Sequence, residues 1–199
     1  MKMKFLYFRE IDSTQKYLLE NLKELDAPLC VWSECQKNGI GSRGNKWIGK
    51  CGNLFFSFVD FLENYKDVPI QSLSIYFGWI MKKTLNDFGS EVVLKWPNDL
   101  YLNKKIGGVL TNIKKDKVIC GIGINTKFAP KEFERLDIEI KNDKILKAFF
   151  KNLEKISFKE AIKEYKQEFE LTKKKFNING ILCDDGAILK NRKKVYSKR

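Results

Sequence analysis

Four short β-type segments follow one another between residues 92 and 124, and they constrain the fold of this chain more than any other part of it. The segments are 92–96, 100–102, 106–113 and 118–124. Only a few turn-forming residues separate each segment from the next, and such spacing is typical of hairpins. We therefore predict a sheet that is antiparallel or mixed.

Helices and further strands are predicted on both sides of this run. Apolar runs at residues 4–9, 29–34 and 53–61 predict strands. A helix is predicted after an N-cap at 12–14, with an apolar stripe of Tyr17, Leu18, Leu22 and Leu25. A central helix is predicted over 70–88, ending at Gly89. Two further amphipathic helices are predicted between 143 and 175, separated near Ser157. The sequence thus predicts an α+β fold in which helices flank a mixed, largely antiparallel sheet.

The C-terminal end of the chain returns to short strands. Residues 176–189 contain turn signals at 179–180 and 184–186, and the tail beyond them is basic and expected to fray. We predict one main domain over residues 1–175, followed by a truncated, β-rich segment with a basic tail over residues 176–199.

Lysine dominates the charge of the chain, which has a formal net charge of +13 and basic runs at 173–175 and 192–194. Such a charge attracts nucleic acid, an anionic membrane or an acidic protein, and a simply solvated lysine-rich surface carries it too. A nucleic-acid binder more often interleaves aromatic residues and arginines along one face, and arginine is scarce here. We therefore expect an acidic protein partner or no particular partner, and neither DNA nor a membrane.

Five cysteines stand at 30, 35, 51, 120 and 183 without a C-x-x-C pair, and the chain has no histidine. We expect neither a zinc site nor a disulfide framework, and the odd, widely spaced set fits a reducing, cytoplasmic environment. The N-terminal residues reach an acidic side chain too early for a signal peptide, and no stretch is long enough to span a membrane. Without histidine, any catalysis must use carboxylates, lysines, arginines or the substrate itself.

The segment 39–44, GIGSRG, matches the dinucleotide-binding pattern G-x-G-x-x-G. That pattern requires a helix after it, and two later glycines prevent one from beginning here, so a Rossmann site is not expected. Backbone N–H groups freed by glycine, with Arg43, Lys46 and Lys50 nearby, would instead form a flexible cradle for phosphate. A merely mobile surface loop is the equal alternative. In both cases the polar segment 36–52 is a candidate lid.

Three motifs place polar groups and glycines at the ends of predicted strands: residues 95–100 read KWPNDL, 105–110 read KIGGVL and 121–125 read GIGIN. A lysine beside tryptophan in an apolar strand is costly unless it serves a function, and paired glycines let a ligand approach the backbone closely. Two lysines and two glycines that converge on one cleft indicate an anion beside an apolar group. The alternative is a hairpin with solvated lysines, which suits Lys104 better than Lys95.

These motifs, together with DST at 12–14 and the pattern Q-x-x-G-x-G-x-R-G-x-x-W over 36–47, resemble the catalytic domain of biotin protein ligases in content, order and spacing. The resemblance covers roughly residues 8–128. It implies a fold related to class II aminoacyl-tRNA synthetases and lipoate ligases. It also implies an enzyme, monomeric or homodimeric, that joins biotin to ATP as biotinyl-5′-AMP. That enzyme would then transfer the biotin to a lysine of the biotin carboxyl carrier protein of acetyl-CoA carboxylase.

The resemblance also implies roles for individual positions. The biotin-binding residues would be Ser13, Thr14, Gln36, Gly39, Lys105, Gly108, Val109, Leu110 and Gly121, with Val109 and Leu110 as apolar walls. The ATP-binding residues would be Arg43, Trp47, Lys95, Asn98 and Asn125, with Trp47 covering the ligand once the loop orders. Catalysis would rest on positioning and on cationic stabilisation by Lys105, Lys95, Arg43 and Mg²⁺. Asp99 would orient the attacking amine, help take its proton, bind Mg²⁺ or cap the turn.

Two departures from the family pattern stand out. Ile40 and Ser42 occupy positions that are usually arginine, which predicts weaker retention of biotinyl-5′-AMP, and Gln15 replaces the usual asparagine, which we expect to matter little. No winged-helix region precedes Phe5, so a DNA-binding repressor is not expected. The rival interpretations are a lipoate or octanoyl ligase of the same fold, and a non-catalytic, basic nucleic-acid-binding domain.

Overall fold

The computed structural model describes residues 3–196, apart from the side chain of Arg43. Within that range the four α-helices are α1 (Thr14–Glu20), α2 (Leu73–Asn86), α3 (Asn142–Lys155) and α4 (Phe158–Thr172). The strands of the same range are β1 (Lys4–Phe8), β2 (Leu29–Ser33), β3 (Gly39–Ile40), β4 (Lys46–Trp47), β5 (Leu54–Phe61), β6 (Val93–Lys95), β7 (Asp99–Tyr101), β8 (Lys105–Lys114), β9 (Lys117–Ile124), β10 (Ile181–Leu182), β11 (Ile188–Lys190) and β12 (Lys193–Val195).

The main sheet has seven strands in the order β1-β2-β5-β9-β8-β7-β6. Strands β1 and β2 run parallel, and all the other neighbouring pairs are antiparallel. The four segments predicted between residues 92 and 124 are the consecutive strands β6 to β9, joined by tight connections. The prediction of a mixed, largely antiparallel sheet flanked by helices is therefore confirmed.

The two faces of the main sheet are covered to different extents. Helices α2, α3 and α4 pack on one face, where aromatic rings such as Phe58, Phe77 and Phe149 form the main core. Burial of one such side chain contributes roughly 2–3 kcal/mol. Helix α1 packs on the other face, over a smaller cluster around Leu18 and Val59. Because α1 spans only 7 residues, it leaves part of this face open above β7, β8 and β9.

Helix α1 is shorter than its apolar stripe suggested. The Ser13 hydroxyl caps it by accepting a hydrogen bond from the backbone N–H three residues further on. Asn21 closes the last turn, because its side-chain amide donates to a helix carbonyl at 2.8 Å. Leu22 and Leu25, which were predicted on the helical stripe, therefore lie beyond the helix, although they still pack against the small cluster.

The other helices agree with the predicted segments apart from small shifts. Helix α2 begins at Leu73 after a 3-10 turn over Ile70–Ser72, and the chain turns away at Gly89, whose φ of 91° is typical of the residue after a helix. Ser157 begins α4 through a capping box with Glu160, in which each side chain bonds the other residue's backbone N–H. None of the helices among residues 3–196 is long and apolar enough to cross a membrane.

Strands β10, β11 and β12 form a separate antiparallel sheet near the C-terminal end. Strand β12 contains Lys193 and Lys194, so the prediction that the basic tail frays beyond residue 189 is wrong for this part of it. The indole N–H of Trp96 donates to the Gly186 carbonyl at 3.0 Å and ties the small sheet to the main one. The small sheet thus supports the turn between β6 and β7.

One disulfide joins Cys35 and Cys51, whose Cα atoms are 4.2 Å apart. The expectation that disulfides have little to build on in this chain is wrong for this pair. The pairing arises because the segment between the two cysteines leaves β2 and returns to β5, and these strands are neighbours in the sheet. Spacing along the sequence does not reveal that adjacency. Cys30, Cys120 and Cys183 are free.

Candidate active site

A cavity opens on the α1 face of the main sheet. Strands β7, β8 and β9 form its floor, the first turn of α1 forms one wall, and the segment between β2 and β5 forms its roof. The predicted site residues that line it are Ser13, Thr14, Gln36, Trp47, Asn98, Asp99, Lys105, Gly108, Val109, Leu110 and Gly121. Motifs from distant stretches of the chain thus meet at one site.

Three glycines lie on the floor. Residues directly opposite one another on paired strands point to the same face of a sheet, and Asp99, Gly108 and Gly123 are opposite one another across β7, β8 and β9. Gly121 lies two residues earlier on β9, beside Leu110 of β8. Without side chains in the way, a ligand can rest directly on the backbone of the sheet.

Val109 and Leu110 line the cavity in different ways. The side chain of Val109 points to the opposite face of the sheet, where it packs in the main core near Gly78 of α2. Val109 still lines the cavity, and its carbonyl accepts a hydrogen bond from Asn98 Nδ2 at 2.6 Å. The predicted apolar wall is therefore wrong for the side chain of Val109, since the alternation of β8 leaves only Leu110 on the cavity face.

Thr14, Gln36 and Ser57 form a hydrogen-bonded group on the wall of the cavity. Gln36 Oε1 accepts hydrogen bonds from the Thr14 backbone N–H at 2.8 Å and from its hydroxyl at 3.1 Å. The hydroxyl of Thr14 also lies 2.9 Å from the hydroxyl of Ser57. These bonds join the roof to α1 and to β5, and Ser13 is buried beside them. Ser57 belongs to this group although none of the motifs contains it.

Gln15 lies at the inner end of the cavity, a position to which the motifs assign no role. It is 3% exposed, and its Nε2 donates to Asn112 Oδ1 at 3.0 Å and to the Ile119 carbonyl at 3.3 Å. Its Oε1 has no hydrogen-bond partner among the described residues and would lie 2.5 Å from a Cβ on Gly121. Leaving a buried acceptor unsatisfied costs about 1–3 kcal/mol. Gln15, which the motifs offered no reason to single out, thus leaves one buried acceptor unsatisfied at the wall of the cavity among the described residues.

Lys105 and Asp99 form an ion pair on the floor, with 2.6 Å between Nζ and Oδ1. The two side chains are 26% and 25% exposed, so the pair is open to a ligand from the cavity side. A Cβ on Gly108 would lie 3.3 Å from the Asp99 oxygen and 3.5 Å from the Lys105 nitrogen. Glycine at this position therefore leaves room for the ion pair.

The roof is more ordered than a mobile loop. Strands β3 and β4 pair within it, with Gly39 opposite Trp47, and a 3-10 turn covers Ser42–Gly44 between them. The indole of Trp47 rests on Gly123, since a Cβ there would lie 2.8 Å from Trp47 Cε2. Gly39 itself lines neither this cavity nor its neighbour and acts through its pairing with Trp47. The side chain of Arg43 lies outside the described part of the structure.

A second cavity adjoins the first and shares Trp47 and Lys105 with it. Its lining also includes Lys46 and Asn125. The Lys105 ammonium lies 5.7 Å from the centre of the Trp47 ring. One cation therefore stands at the junction of two spaces, where it can contact anionic groups of two different ligands.

The predicted ATP-binding residues are not all brought to these cavities. Asn125 is buried at the wall of the second cavity, where Asn53 donates to its side chain at 3.4 Å and its own amide donates to the Glu134 carbonyl at 3.3 Å. Lys95 lines neither cavity. Its Nζ lies 4.8 Å from the centre of the Tyr101 ring and 3.4 Å from the Tyr101 hydroxyl. Attraction to an aromatic face holds a partly desolvated ammonium in such a place.

Metal-binding groups are sparse in the site. Nowhere in residues 3–196 do three histidine, cysteine or acidic side chains meet in a way that could hold a metal ion. Asp99 is the carboxylate that the described residues contribute to the two cavities. A Mg²⁺ ion that enters with a nucleotide would therefore find one protein carboxylate and would take its other oxygen ligands from phosphate and water, which is how this ion is commonly bound.

Known proteins share both the sequence and the fold. The family model for the biotin/lipoate A/B protein ligase family matches residues 7–127. The bifunctional ligase/repressor BirA of Escherichia coli (strain K12) is 37% identical over 123 residues, which make up 58% of this chain but 38% of that protein. The match therefore spans well under half the length of that relative.

Two solved structures resemble this fold over nearly the whole chain. The biotin acetyl coenzyme A carboxylase synthetase from Helicobacter pylori, with bound biotinylated ATP, superposes with a TM-score of 0.90 at 36% identity over 98% of this chain and 100% of that one. The biotin protein ligase from Aquifex aeolicus in complex with biotin and ATP gives a TM-score of 0.75 at 26% identity over 98% of this chain and 96% of that one.

These similarities agree with the geometry of the sheet and its two adjoining cavities. The predicted relationship of the fold to biotin and lipoate ligases is confirmed, because the mixed sheet, the flanking helices and the small C-terminal sheet all lie within the superposed part. The family model covers more than half of the chain and includes every motif of the cavity. The chain therefore belongs to the biotin/lipoate A/B protein ligase family.

Proposed function

We propose that this protein is a biotin protein ligase, which makes biotinyl-5′-AMP from biotin and ATP and transfers the biotin to a lysine of a carrier protein. The observation that carries the proposal is the position of Lys105. It lines both cavities, so one ammonium reaches the place where two substrates must meet. The similar structures with biotin, ATP or biotinylated ATP bound support the same assignment.

The first cavity suits the ring system of biotin. A ureido ring carries two N–H donors and one carbonyl acceptor, and the wall offers the polar group of Thr14, Gln36 and Ser57. Gln15 Oε1 adds an acceptor that no described protein group uses. The glycine floor and Leu110 provide the apolar contact for the rest of the ring.

The second cavity suits the nucleotide. It places the indole of Trp47, a planar surface for a base, beside the cations Lys46 and Lys105. The backbone of the 3-10 turn over Ser42–Gly44 adds N–H groups near the same space. Lys95, which was predicted here, is held on the Tyr101 ring instead, so we assign phosphate contacts to Lys46 and Lys105.

In the first step, a carboxylate oxygen of biotin attacks the α-phosphorus of ATP, a new P–O bond forms, and the bond to pyrophosphate breaks. Both reactants are anionic, so the barrier falls when a fixed cation lies between them. The Lys105 ammonium has three N–H donors and can therefore keep its bond to Asp99 while it binds a substrate oxygen. A bound Mg²⁺ would neutralise further phosphate charge, with Asp99 as its protein ligand.

In the second step, the neutral amine of the carrier lysine attacks the acyl carbon of biotinyl-5′-AMP. The C–N bond forms, the bond from carbon to the phosphate oxygen breaks, AMP leaves, and the nitrogen loses a proton. We assign Asp99 to orienting this amine and to receiving the proton, because its carboxylate faces the cavity directly beside Lys105.

The carrier that fits this chemistry is the biotin carboxyl carrier protein of acetyl-CoA carboxylase. The net charge of +13 would attract an acidic carrier domain and speed its encounter with the enzyme. The name of the Helicobacter pylori structure, a biotin acetyl coenzyme A carboxylase synthetase, supports the same class of carrier.

The test is biotin-dependent exchange of labelled pyrophosphate into ATP, with Lys105→Ala compared with Lys104→Ala. Lys104 is the neighbouring lysine, lines neither cavity and donates to the Lys131 carbonyl at 3.1 Å. We expect the Lys105 variant to lose exchange by about 100-fold or more, in the range for loss of one charged transition-state contact, and the Lys104 variant to keep it. Exchange that requires lipoate instead of biotin, or an equal loss in both variants, would overturn the proposal.

A further inference from the structure

The two ends of the roof meet at the disulfide pair. Strands β2 and β5 pair up to Ser33 and Phe55, and the Gly52 N–H donates to the Glu34 carbonyl at 2.7 Å just beyond them. Cys35 and Cys51 are the next residues outward on the two strands, with Cα atoms 4.2 Å apart. Residues 36–50 lie between the cysteines and form the central part of the roof, and we call them the lid. The cysteines thus form its neck.

The lid contributes several of the residues that line the first cavity. Gln36, Ile40 and Trp47 all belong to it and line the first cavity. Gln36 follows Cys35 directly, and the Ile11 N–H donates to the Cys35 carbonyl at 3.0 Å, next to the contact between Gln36 and Thr14. A bond at the neck therefore acts on residues that touch the ligand.

The neck cysteines are also the pair that an external reagent can reach. Cys51 is exposed and Cys35 is half-buried. Cys30 and Cys120 are fully buried, and burial raises the pKa of both thiols, which keeps them protonated and unreactive. Cys183, between β10 and β11, is half-buried like Cys35, but it is not bonded to another cysteine and can form only a mixed disulfide with a reagent. The disulfide within the chain therefore forms at Cys35 and Cys51.

We propose that Cys35 and Cys51 form a reversible thiol–disulfide site that sets how fast ligands pass the lid. With a small disulfide such as oxidised glutathione, the exposed Cys51 thiolate attacks one sulfur and releases one glutathione thiol. The Cys35 thiolate then attacks Cys51 sulfur in the mixed disulfide and releases the second. In total, two protein thiols lose two protons and two electrons, and the oxidant becomes two thiols. A dithiol reductant reverses the reaction.

The effect on the ligand follows from the position of the bond. In the reduced protein, hydrogen bonds alone close the neck. The Cys35 end of the lid stays bonded to Ile11 and Asp12, so the lid opens when its Cys51 end separates. In the oxidised protein both ends are fixed 4.2 Å apart, and only internal changes of the lid can open the cavity. Because the lid gates both directions, oxidation slows association and dissociation of the ligand together.

The experiment uses the full chain, fully reduced or treated with oxidised glutathione. Intact mass and alkylation followed by peptide mapping report whether two hydrogens are lost at Cys35 and Cys51. Stopped-flow fluorescence of tryptophan with biotin and a competing analogue gives the two rate constants. We expect both to fall by about fivefold or more on oxidation, which corresponds to roughly 1 kcal/mol added to the barrier for opening the lid. Cys35→Ser should abolish the difference and Cys183→Ser should keep it.

A second readout needs no ligand. The exposed Lys46 and Lys50 in the lid are trypsin sites, and we expect oxidation to slow cleavage there when fragments are separated after reduction. The choice of biotin rests on the proposed function, so failure of biotin to bind in either form would overturn that function and leave the lid to be judged by proteolysis. Absence of the disulfide after oxidation, or a disulfide that changes neither the rates nor the cleavage, would overturn the redox proposal.

Discussion

Replacing Gly121 by alanine should remove the space that Gln15 uses at the inner end of the cavity. The added Cβ would lie 2.5 Å from Gln15 Oε1 and 3.0 Å from the Ser57 hydroxyl. Because non-bonded heavy atoms settle at roughly 3.5 Å, the amide must shift by about 1 Å. Its Nε2 bonds to Asn112 and Ile119 are already 3.0 and 3.3 Å long, so a shift of that size breaks at least one of them.

The expected magnitude follows from the groups left without partners. A buried polar group that loses its hydrogen bond costs about 1–3 kcal/mol, and each 1.4 kcal/mol is about a factor of ten in affinity. We therefore expect Gly121→Ala to raise KM for biotin by roughly 10- to 100-fold. Pyrophosphate exchange at varied biotin and saturating ATP measures this, and KM for ATP should change by less than about twofold, since Gly121 does not line the second cavity.

Gly123→Ala is the matched control. It lies on the same face of β9, but its added Cβ would meet Trp47 at 2.8 Å and not Gln15. Because Trp47 also lines the second cavity, we expect this variant to raise KM for ATP more than Gly121→Ala does. Shortening the amide with Gln15→Asn in the Gly121→Ala background should restore part of the biotin affinity. Equal effects of the two glycine variants on both substrates, with no rescue, would refute the role given to Gln15.

Two further predictions concern the two half-reactions. Asp99→Asn should slow transfer from isolated biotinyl-5′-AMP to a carrier lysine by about 100-fold, as expected for loss of a general base. The same variant should slow pyrophosphate exchange less. An equal loss in both steps would instead mean that Asp99 acts only by holding Lys105. Ile40→Arg combined with Ser42→Arg should lengthen the half-life of bound biotinyl-5′-AMP, because two cations would then lie on the cavity roof. An unchanged rate of biotinyl-5′-AMP release in a filter-binding chase would show that the missing arginines do not affect its retention.

The order of the strands around the site could be predicted because it depends on local signals. Short connections between β6 and β9 leave few alternatives to hairpin pairing, and the alternation of each strand then decides which residues share a face. That register alone places Asp99, Gly108 and Gly123 on the same face of the sheet. Lys105 and Thr14 belong to motifs whose position next to the floor is fixed by the same strands and by the cap of α1.

The remaining features depend on contacts between segments that are far apart in sequence. Lys95 carries a motif signal, but a ring from the end of the chain, Phe176, joins Tyr101 around its ammonium and holds it away from the cavities. The approach of Cys35 to Cys51 likewise needs the pairing of β2 with β5. Local patterns contain no information about such long-range packing.

Under the proposed function, buried polar atoms without partners bear on which ligand the cavity accepts. Among the described residues, buried polar side-chain atoms without partners are found on Gln15, Trp47, Trp79 and Tyr165, and the first two lie at the cavity. An apolar dithiolane ring has no N–H to give to Gln15 Oε1, whereas a ureido ring has two. A site built around hydrogen bonds rejects an analogue that lacks them by about 10⁴-fold or more, because its own buried groups stay unpaired. Under the proposed function, we therefore expect Gln15 to favour biotin over lipoate.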